Sequence, residues 1–334
     1  MVEWSIFNEI FAVAFNVLYF VIIIGTIFIV ILDNRNPVKT MAWVLVLFFL
    51  PIVGLVFYFF FGRSTRKEKL ISKKGFTRLI KRPMAEYQAQ KAFKCPDEQH
   101  QLMRFFRKVN NALPFEGNAT EVFTDGYSML YSLMKEISKA KHHIHLQFYI
   151  FEDDPAGRLL RDLLIDKARQ GVEVRLLYDD VGCWKVSHAF FDEMRGAGIE
   201  ARSFLKVRFP LFTSKVNYRN HRKIVVIDGR VAYTGGMNIA LRYMKGFPWG
   251  IWRDTHIKIE GKAVYGLQTA FLTDWYVVDR TLITSSRYFP EVGIFGKALI
   301  QIVTSDPVGE WRDIMQGLLI AISSSRKYFY IQTP

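Results

Sequence analysis

The sequence predicts a layered α/β domain preceded by a two-helix transmembrane hairpin. Three features point to it: two long apolar runs near the N-terminus, alternating strand and helix patterns from about Leu113, and a late segment that repeats an earlier one in register. At 334 residues and 38.9 kDa, the chain has room for both parts. Half of its residues are hydrophobic and its mean hydropathy is +0.09, high for a chain without membrane segments.

The first apolar run, from Ile10 to Leu32, is broken only by Asn16, and the second, from Met41 to Phe61, carries no charge. Helices of about 20 residues cross a hydrocarbon layer of ~30 Å. The first run is too long for a signal-peptide core and lacks a basic flank before it. Residues 1–62 therefore read as a hairpin with spans at about 10–32 and 41–61, joined by Asp33–Thr40. Only Glu3 and Glu9 are charged before the first span. After the second come Arg63, Arg66, Lys67, Lys69, Lys73, Lys74, Arg78, Lys81 and Arg82. That asymmetry places the rest of the chain in the cytoplasm. The same basic run suits anionic headgroups as well as a stop-transfer flank.

Residues 63–110 read as a basic linker with some helix. Beyond them, strand patterns fall at Ile144–Phe151, Val172–Tyr178, Lys223–Ile227, Val231–Gly235, Thr255–Ile259 and Leu299–Val303. Helical patterns fill Ala156–Arg169, His188–Met194 and Ala263–Val277. This assigns residues 111–305 to one α/β unit.

The repeat is specific. Asp125-Gly126-Tyr127 through Ile137-Ser138-Lys139-Ala140-Lys141 leads into Ile144-His145-Leu146-Gln147, and Glu310-Trp311-Arg312 through Ile322-Ser323-Ser324-Ser325-Arg326 leads into Phe329-Tyr330-Ile331-Gln332. The spacing is constant, so Ile137 matches Ile322 and Gln147 matches Gln332. Residues 306–334 thus read as the start of a second, truncated copy, with Phe329–Ile331 an unpaired apolar strand edge.

A net charge of +14 predicts a phosphate-bearing partner, nucleic acid or an anionic membrane. Cys95 and Cys183 have neither a disulfide framework nor a zinc spacing around them. The chemistry concentrates in Asn220-His221-Arg222-Lys223-Ile224-Val225-Val226-Ile227-Asp228, followed by Gly235-Gly236-Met237-Asn238: H-x-K-x4-D, then G-G-x-N. Alternation along a strand puts His221 and Lys223 on one face. Asp228-Gly229 is a hairpin turn, and the return strand brings Gly235–Asn238 alongside. This predicts an imidazole nucleophile, an ammonium for a phosphate oxygen and a carboxamide donor at Asn238. Gly235 and Gly236 let phosphate approach the backbone, and no metal is required.

Asp228 lies seven residues from His221, about 20 Å along an extended strand, too far to orient the nucleophile. Its expected role is the turn. Asp254, in Trp252-Arg253-Asp254-Thr255-His256, is the expected partner holding the imidazole N–H. His143 and His145 form an H-x-H pattern with no further ligand at suitable spacing, so they read as core histidines. His100, His142, His188 and His256 read the same way.

With these motifs the chain resembles bacterial cardiolipin synthases of the phospholipase D superfamily. Pro37-Val38-Lys39-Thr40-Met41-Ala42-Trp43, Leu50-Pro51-Ile52-Val53-Gly54-Leu55 and Phe61-Gly62-Arg63 resemble the family's membrane hairpin. Phe148-Tyr149-Ile150-Phe151, Leu177-Tyr178-Asp179-Asp180-Val181-Gly182 and Asn220–Asn238 resemble its catalytic half, and Gln332-Thr333-Pro334 the first strand of its second half. The resemblance implies a phospholipase D-like α/β/α domain with a mixed central sheet. It also implies phosphatidyl transfer between two phosphatidylglycerols, without cofactor, through a phosphatidyl-histidine. His221 matches the first-motif histidine, Lys223 and Asn238 the phosphate contacts, and Asp228 the motif aspartate; with Asp254 from the reading above, the expected catalytic set is His221, Lys223, Asp228 and Asp254.

The family carries a second H-x-K-x4-D, and these 334 residues contain one. The expectation is therefore a bacterial cell-membrane cardiolipin synthase whose activity is impaired or lost in this chain. Its partners would be phosphatidylglycerol and the membrane, not nucleic acid, with room for a homo-oligomer. The competing readings are a phosphodiesterase or nuclease of the same superfamily and a non-catalytic membrane-bound fragment.

Overall fold

In the computed structural model, which describes residues 2–33, 37–58, 62, 100–204, 206, 219–305 and 313–332, the first apolar run is a single helix, α1 (Val2–Asp33). Its stretch Glu9–Leu32, 24 residues with almost no buried surface, is long and apolar enough to cross a membrane. The second run differs from expectation. It forms two helices, α2 (Pro37–Phe49) and α3 (Pro51–Phe57), interrupted at Leu50. Pro51 occupies the first turn of α3, where it lacks an N–H to lose, and its ring turns Leu50 out of helical geometry (φ −132°, ψ 65°). Helix α3 then folds back on α2. The Trp43 and Tyr58 rings meet edge-on at 5.4 Å, and a Cβ on Gly54 would lie 2.9 Å from the Val46 carbonyl oxygen. Val30, Leu47 and Tyr58 bury one another between the three helices. At 13 residues, α2 rises about 20 Å, short of a full crossing. The expected second span is therefore a folded-back pair, and residues 59–61 at its end lie outside the described residues.

This first unit is separate from the second, which contains the sheet. The basic run from Arg63 to Arg82 and Cys95 lie outside the described residues. The last part of the expected linker is an ordered helix, α4 (His100–Asn110). Asn110 fixes it: its Nδ2 donates to Thr304 O (2.6 Å) and Asp313 Oδ2 (2.8 Å), and its Oδ1 accepts from Thr304 N (3.0 Å).

Eight strands form one mixed sheet: β1 (Pro114–Phe123), β2 (His143–Phe148), β3 (Glu173–Asp179), β4 (Glu200–Phe204), β5 (Ile224–Ile227), β6 (Val231–Gly235), β7 (His256–Glu260) and β8 (Ala298–Gln301). Their order is β4-β3-β2-β5-β6-β7-β1-β8, with β2, β3 and β4 parallel and the remaining pairs antiparallel. The sequence patterns missed β1 and β4. In β1, Gly117 at φ +76° and a register shift between Phe115 and Asn118 break the period-two alternation. In β4, five residues are too few to show a period.

Helices cover both faces, as the layered reading expects. On one face, α5 (Gly126–Lys139), α6 (Pro155–Arg169) and α7 (His188–Gly196) bury Met129, Leu133, Leu160, Leu164 and Phe191 against Ile144, Leu146, Val225 and Ile227. After the short α8 (Arg242–Lys245), α9 (Val264–Asp279) covers the other face with Leu267, Phe271 and Trp275 against Ile224, Val226 and Ile259. Strand β2 is buried on both sides, and its alternate residues His143, His145 and Gln147 face α9.

The helix of the second repeat forms, α10 (Asp313–Ser324), but the strand expected at Phe329–Gln332 does not. Among the described residues no neighbouring strand supplies a hydrogen-bonding edge there, and Tyr330 stands 86% exposed.

Candidate functional site

One end of the sheet collects the motif residues. Pairing of Ile224 with Thr234 sets Lys223 beside Gly235, and Gly235 pairs with His256 at the start of β7. Strand β2 reaches the same end with Tyr149, and β3 with Asp179.

His221 is exposed, and its imidazole stacks on the Tyr149 ring at 3.9 Å between centroids, 20° from parallel. Lys223, two residues on, is 8% exposed and donates from Nζ to His221 O at 2.8 Å. Partial burial and the Lys223 charge push the His221 pKa below its ordinary value, against an opposing pull from Asp179. The neutral, nucleophilic imidazole is thereby favoured at neutral pH. Burial likewise lowers the Lys223 pKa, and the Asp254 carboxylate counters it. An ammonium carries three donors, so one bond to His221 O leaves two for a phosphate oxygen.

The other motif positions are not all open to a ligand. Asn238 is 2% exposed: its Oδ1 accepts from Ile150 N (3.0 Å) and its Nδ2 donates to Tyr243 Oη (2.6 Å). Expected as a phosphate donor, it also ties β2's exit to α8, with one of its two Nδ2 hydrogens used on Tyr243. The two glycines are set by close packing of β7. A Cβ at Gly235 would lie 2.5 Å from His256 Cα, and one at Gly236 would collide with the Asp254 carboxylate.

Asp228 sits at the opposite end of β5. In a left-handed turn (φ +52°), its carboxylate accepts from Lys141 N (2.9 Å), His142 N (2.8 Å) and His143 N (3.0 Å). It caps the start of β2 and stands at the far end of β5 from His221, so the hydrogen bonds it makes are those of the turn. Asp254 also departs from expectation. Its carboxylate lies against Gly236 and in the field of Lys223, and no hydrogen bond joins it to the His221 ring among the described residues.

The residues that position His221 escaped sequence reasoning. Asp274, on α9 and 5% exposed, receives Arg222 Nη1 on both oxygens (2.5 and 2.6 Å), Asn220 Nδ2 (2.8 Å) and Gln147 Nε2 (2.7 Å). The neighbours of His221 on either side are thus held by one carboxylate. The only trace in the sequence is a lone acid in the apolar run Ala270–Val278. Asp179, 1% exposed, accepts from Val181 N, Gly182 N and, at 3.3 Å, Asn220 N. Burial raises its pKa, opposed by these N–H groups and by Arg219.

A cavity of about 490 Å³ adjoins His221 and Lys223. Its wall is mostly apolar, including Ile224, Ile257, Leu267, Ala270 and Ile302. His256 also lines it, 1% exposed, with neither ring nitrogen hydrogen-bonded among the described residues. Burial and the nearby Lys223 charge lower its pKa to about 4, so it is neutral.

His143 and His145 belong to a buried network. His143 Nε2 meets Gln268 Oε1 (3.1 Å), Gln268 Nε2 meets His145 Nδ1 (2.8 Å), and His145 Nε2 lies 3.7 Å from Glu173. No cluster of three or more metal-ligating side chains occurs among the described residues.

Residues 133–275 match the family model described as cardiolipin synthase, PLD-like domain, and residues 17–63 match the phospholipase D-nuclease N-terminal model. The chain is 38% identical over 330 residues to the major cardiolipin synthase ClsA of Bacillus subtilis, covering 95% of this chain and 68% of that protein. The chain belongs to the cardiolipin synthase family. A cardiolipin synthase of Geobacillus sp. (strain WCH70) is 38% identical over 92% of this chain and 62% of its own length. Relative to these family members, the chain spans roughly two thirds of their length. Among solved structures, the phosphatidylserine synthase of Haemophilus influenzae matches 52% of this chain and 41% of its own, at 18% identity and a TM-score of 0.40.

Proposed function

We propose that His221 is the nucleophile of a phosphatidyl transfer that joins two phosphatidylglycerols into cardiolipin and glycerol. The observation that carries this reading is the partly exposed, neutral-leaning imidazole beside the Lys223 ammonium at the sheet end. A His221 ring nitrogen attacks phosphorus, a P–N bond forms, and the bond to the glycerol headgroup breaks. Lys223 stabilises charge on a non-bridging oxygen. The hydroxyl of a second phosphatidylglycerol then attacks phosphorus, the P–N bond breaks to release the imidazole, and the hydroxyl proton goes to the base that was left when glycerol took its proton. Departing glycerol needs a proton from an acid, and the second motif copy that the family resemblance implies as its source is not among these 334 residues.

The apolar wall of the cavity beside His221 favours a lipid over a nucleic acid. The length and apolarity of α1 and the likeness to cardiolipin synthases support a membrane association. We place the catalytic residues in the cytoplasm, from the basic residues that follow the apolar runs, with α1 as the crossing and α2–α3 as a re-entrant pair.

Labelled phosphatidylglycerol in vesicles provides the test. Cardiolipin and free glycerol in a 1:1 ratio, lost in His221→Ala, would mark the transfer, at a rate held down in this chain because its 334 residues carry a single motif copy. Free phosphatidic acid alone would indicate hydrolysis, and cleavage of single-stranded DNA would favour the nuclease reading.

A further inference from the structure

Two loops at the catalytic end of the sheet expose large apolar side chains that none of the described residues of their unit covers. After β3, Trp184 is 76% exposed, and after β6, Trp249 is 81% and Ile251 86% exposed. Both loops are built onto the site. Gly182 packs so tightly against the Tyr149 carbonyl that a Cβ would collide with it, and Tyr149 stacks on His221. On the other side, Trp252 packs on Tyr243 at 5.5 Å, and Tyr243 holds Asn238.

The second loop is rigid. Phe247 and Gly250 exchange backbone hydrogen bonds (2.8 and 3.1 Å), and Phe247 and Trp249 stack at 4.5 Å, 5° from parallel. A preformed tip loses little conformational freedom when it binds. Exposed cations flank the apolar groups: Lys185 beside Trp184, and Lys245 and Arg253 on either side of Trp249 and Ile251. Indole rings with adjacent cations match the headgroup layer of an anionic bilayer, where one end of the ring is apolar and the other wet. The +14 charge of the chain and a helix long and apolar enough to cross a membrane favour that surface.

We propose that the 180–187 and 245–253 loops form a lipid-contacting rim around His221, with Trp184, Trp249 and Ile251 seated in the headgroup region and Lys185, Lys245 and Arg253 on lipid phosphates. The rim deepens the lipid-substrate reading, since it would let phosphatidylglycerol enter from the bilayer without crossing water. Its test requires no turnover.

The full chain, with Cys95→Ser, is reconstituted in vesicles carrying a single NBD-labelled cysteine at Trp184→Cys, Ile251→Cys or, as a control at the opposite end of the sheet, Arg169→Cys. Cys183 needs no replacement, because it is buried and its thiol pKa is pushed up to about 12. In phosphatidylglycerol vesicles, lipid-borne doxyl groups should quench the labels at 184 and 251 and leave the label at 169 bright. Quenching should weaken in phosphatidylcholine alone; equal quenching in both lipids would refute the role given to the basic residues. Labels at 184 and 251 that stay bright with doxyl lipid and open to aqueous iodide would overturn the proposal. Labels shielded from both quenchers would overturn it too, assigning the loops to a protein surface. Quenching without cardiolipin formation would leave the rim standing while the transfer reading failed.

Discussion

Arg222 grips Asp274 with one guanidinium nitrogen 2.5 and 2.6 Å from the two carboxylate oxygens, and the same carboxylate receives Asn220. His221 sits between these two anchors, just ahead of β5, so its placement depends on a helix residue 53 positions downstream as well as on the strand that follows it.

Asp274→Ala should therefore damage both stability and reactivity. It strands Arg222, Asn220 and Gln147, and removing one partner of a buried ion pair costs about 3–5 kcal/mol. Arg222 is 24% exposed, which favours the lower end, about 3 kcal/mol. Thermal unfolding in detergent reads the loss, and the rate of phosphatidyl-adduct formation at His221 per folded molecule reads the displacement. Arg222→Lys, which keeps the charge but loses the planar fork, should show a smaller loss of the same kind.

Asp228→Ala should separate folding from chemistry. Three backbone N–H groups lose their acceptor, which should lower stability by about 1–3 kcal/mol. Adduct formation at His221, normalised to folded protein, should stay near the wild-type rate. A rate loss beyond the folded fraction would show that the motif aspartate acts on the site after all.

Lys223→Met should raise the His221 pKa, because the ammonium is the main charge holding it down after burial. Asp179→Asn should shift it the other way. Histidine NMR titration in detergent checks both signs, and an unchanged midpoint in Lys223→Met contradicts the assigned electrostatics.

Stability should fall as pH drops below 6.5. Burial first, and neighbouring positive charge second, hold His143 at about 2 and His256 at about 4; burial also holds His145 at about 4. The unfolded chain takes up these protons near 6.5 while the folded chain resists, so stability present above pH 6.5 is lost toward pH 4. Each histidine contributes about 1.4 kcal/mol per pH unit across that window. Equal melting temperatures at pH 7.5 and 5 would be incompatible with three buried neutral imidazoles.

The layered α/β core was legible because β2, β5 and β6 carry unbroken apolar or alternating runs, and because the turn at Asp228-Gly229 fixes the register that brings Lys223 to Gly235. Other features were hidden for identifiable reasons. Pro51 is compatible with either a kinked span or a reversal, and the choice depends on Gly54 reaching Val46, a contact made only in three dimensions. The structural bonds of Asn238 were hidden because its partners, Ile150 N and Tyr243 Oη, come from separate elements. Asp274 lies on the far side of the sheet, 53 residues from His221, and no spacing rule links them.

The central claim is that His221 forms a covalent bond to phosphorus, and the most direct measurement is mass spectrometry of the chain after brief exposure to phosphatidylglycerol. Quenching under non-acidic conditions preserves the labile P–N bond. The site predicts a phosphatidyl mass increment on the peptide containing His221, absent in His221→Ala and strongly reduced in Lys223→Met. No increment on wild-type protein that is folded and membrane-bound, or an increment mapping to another residue, would contradict it.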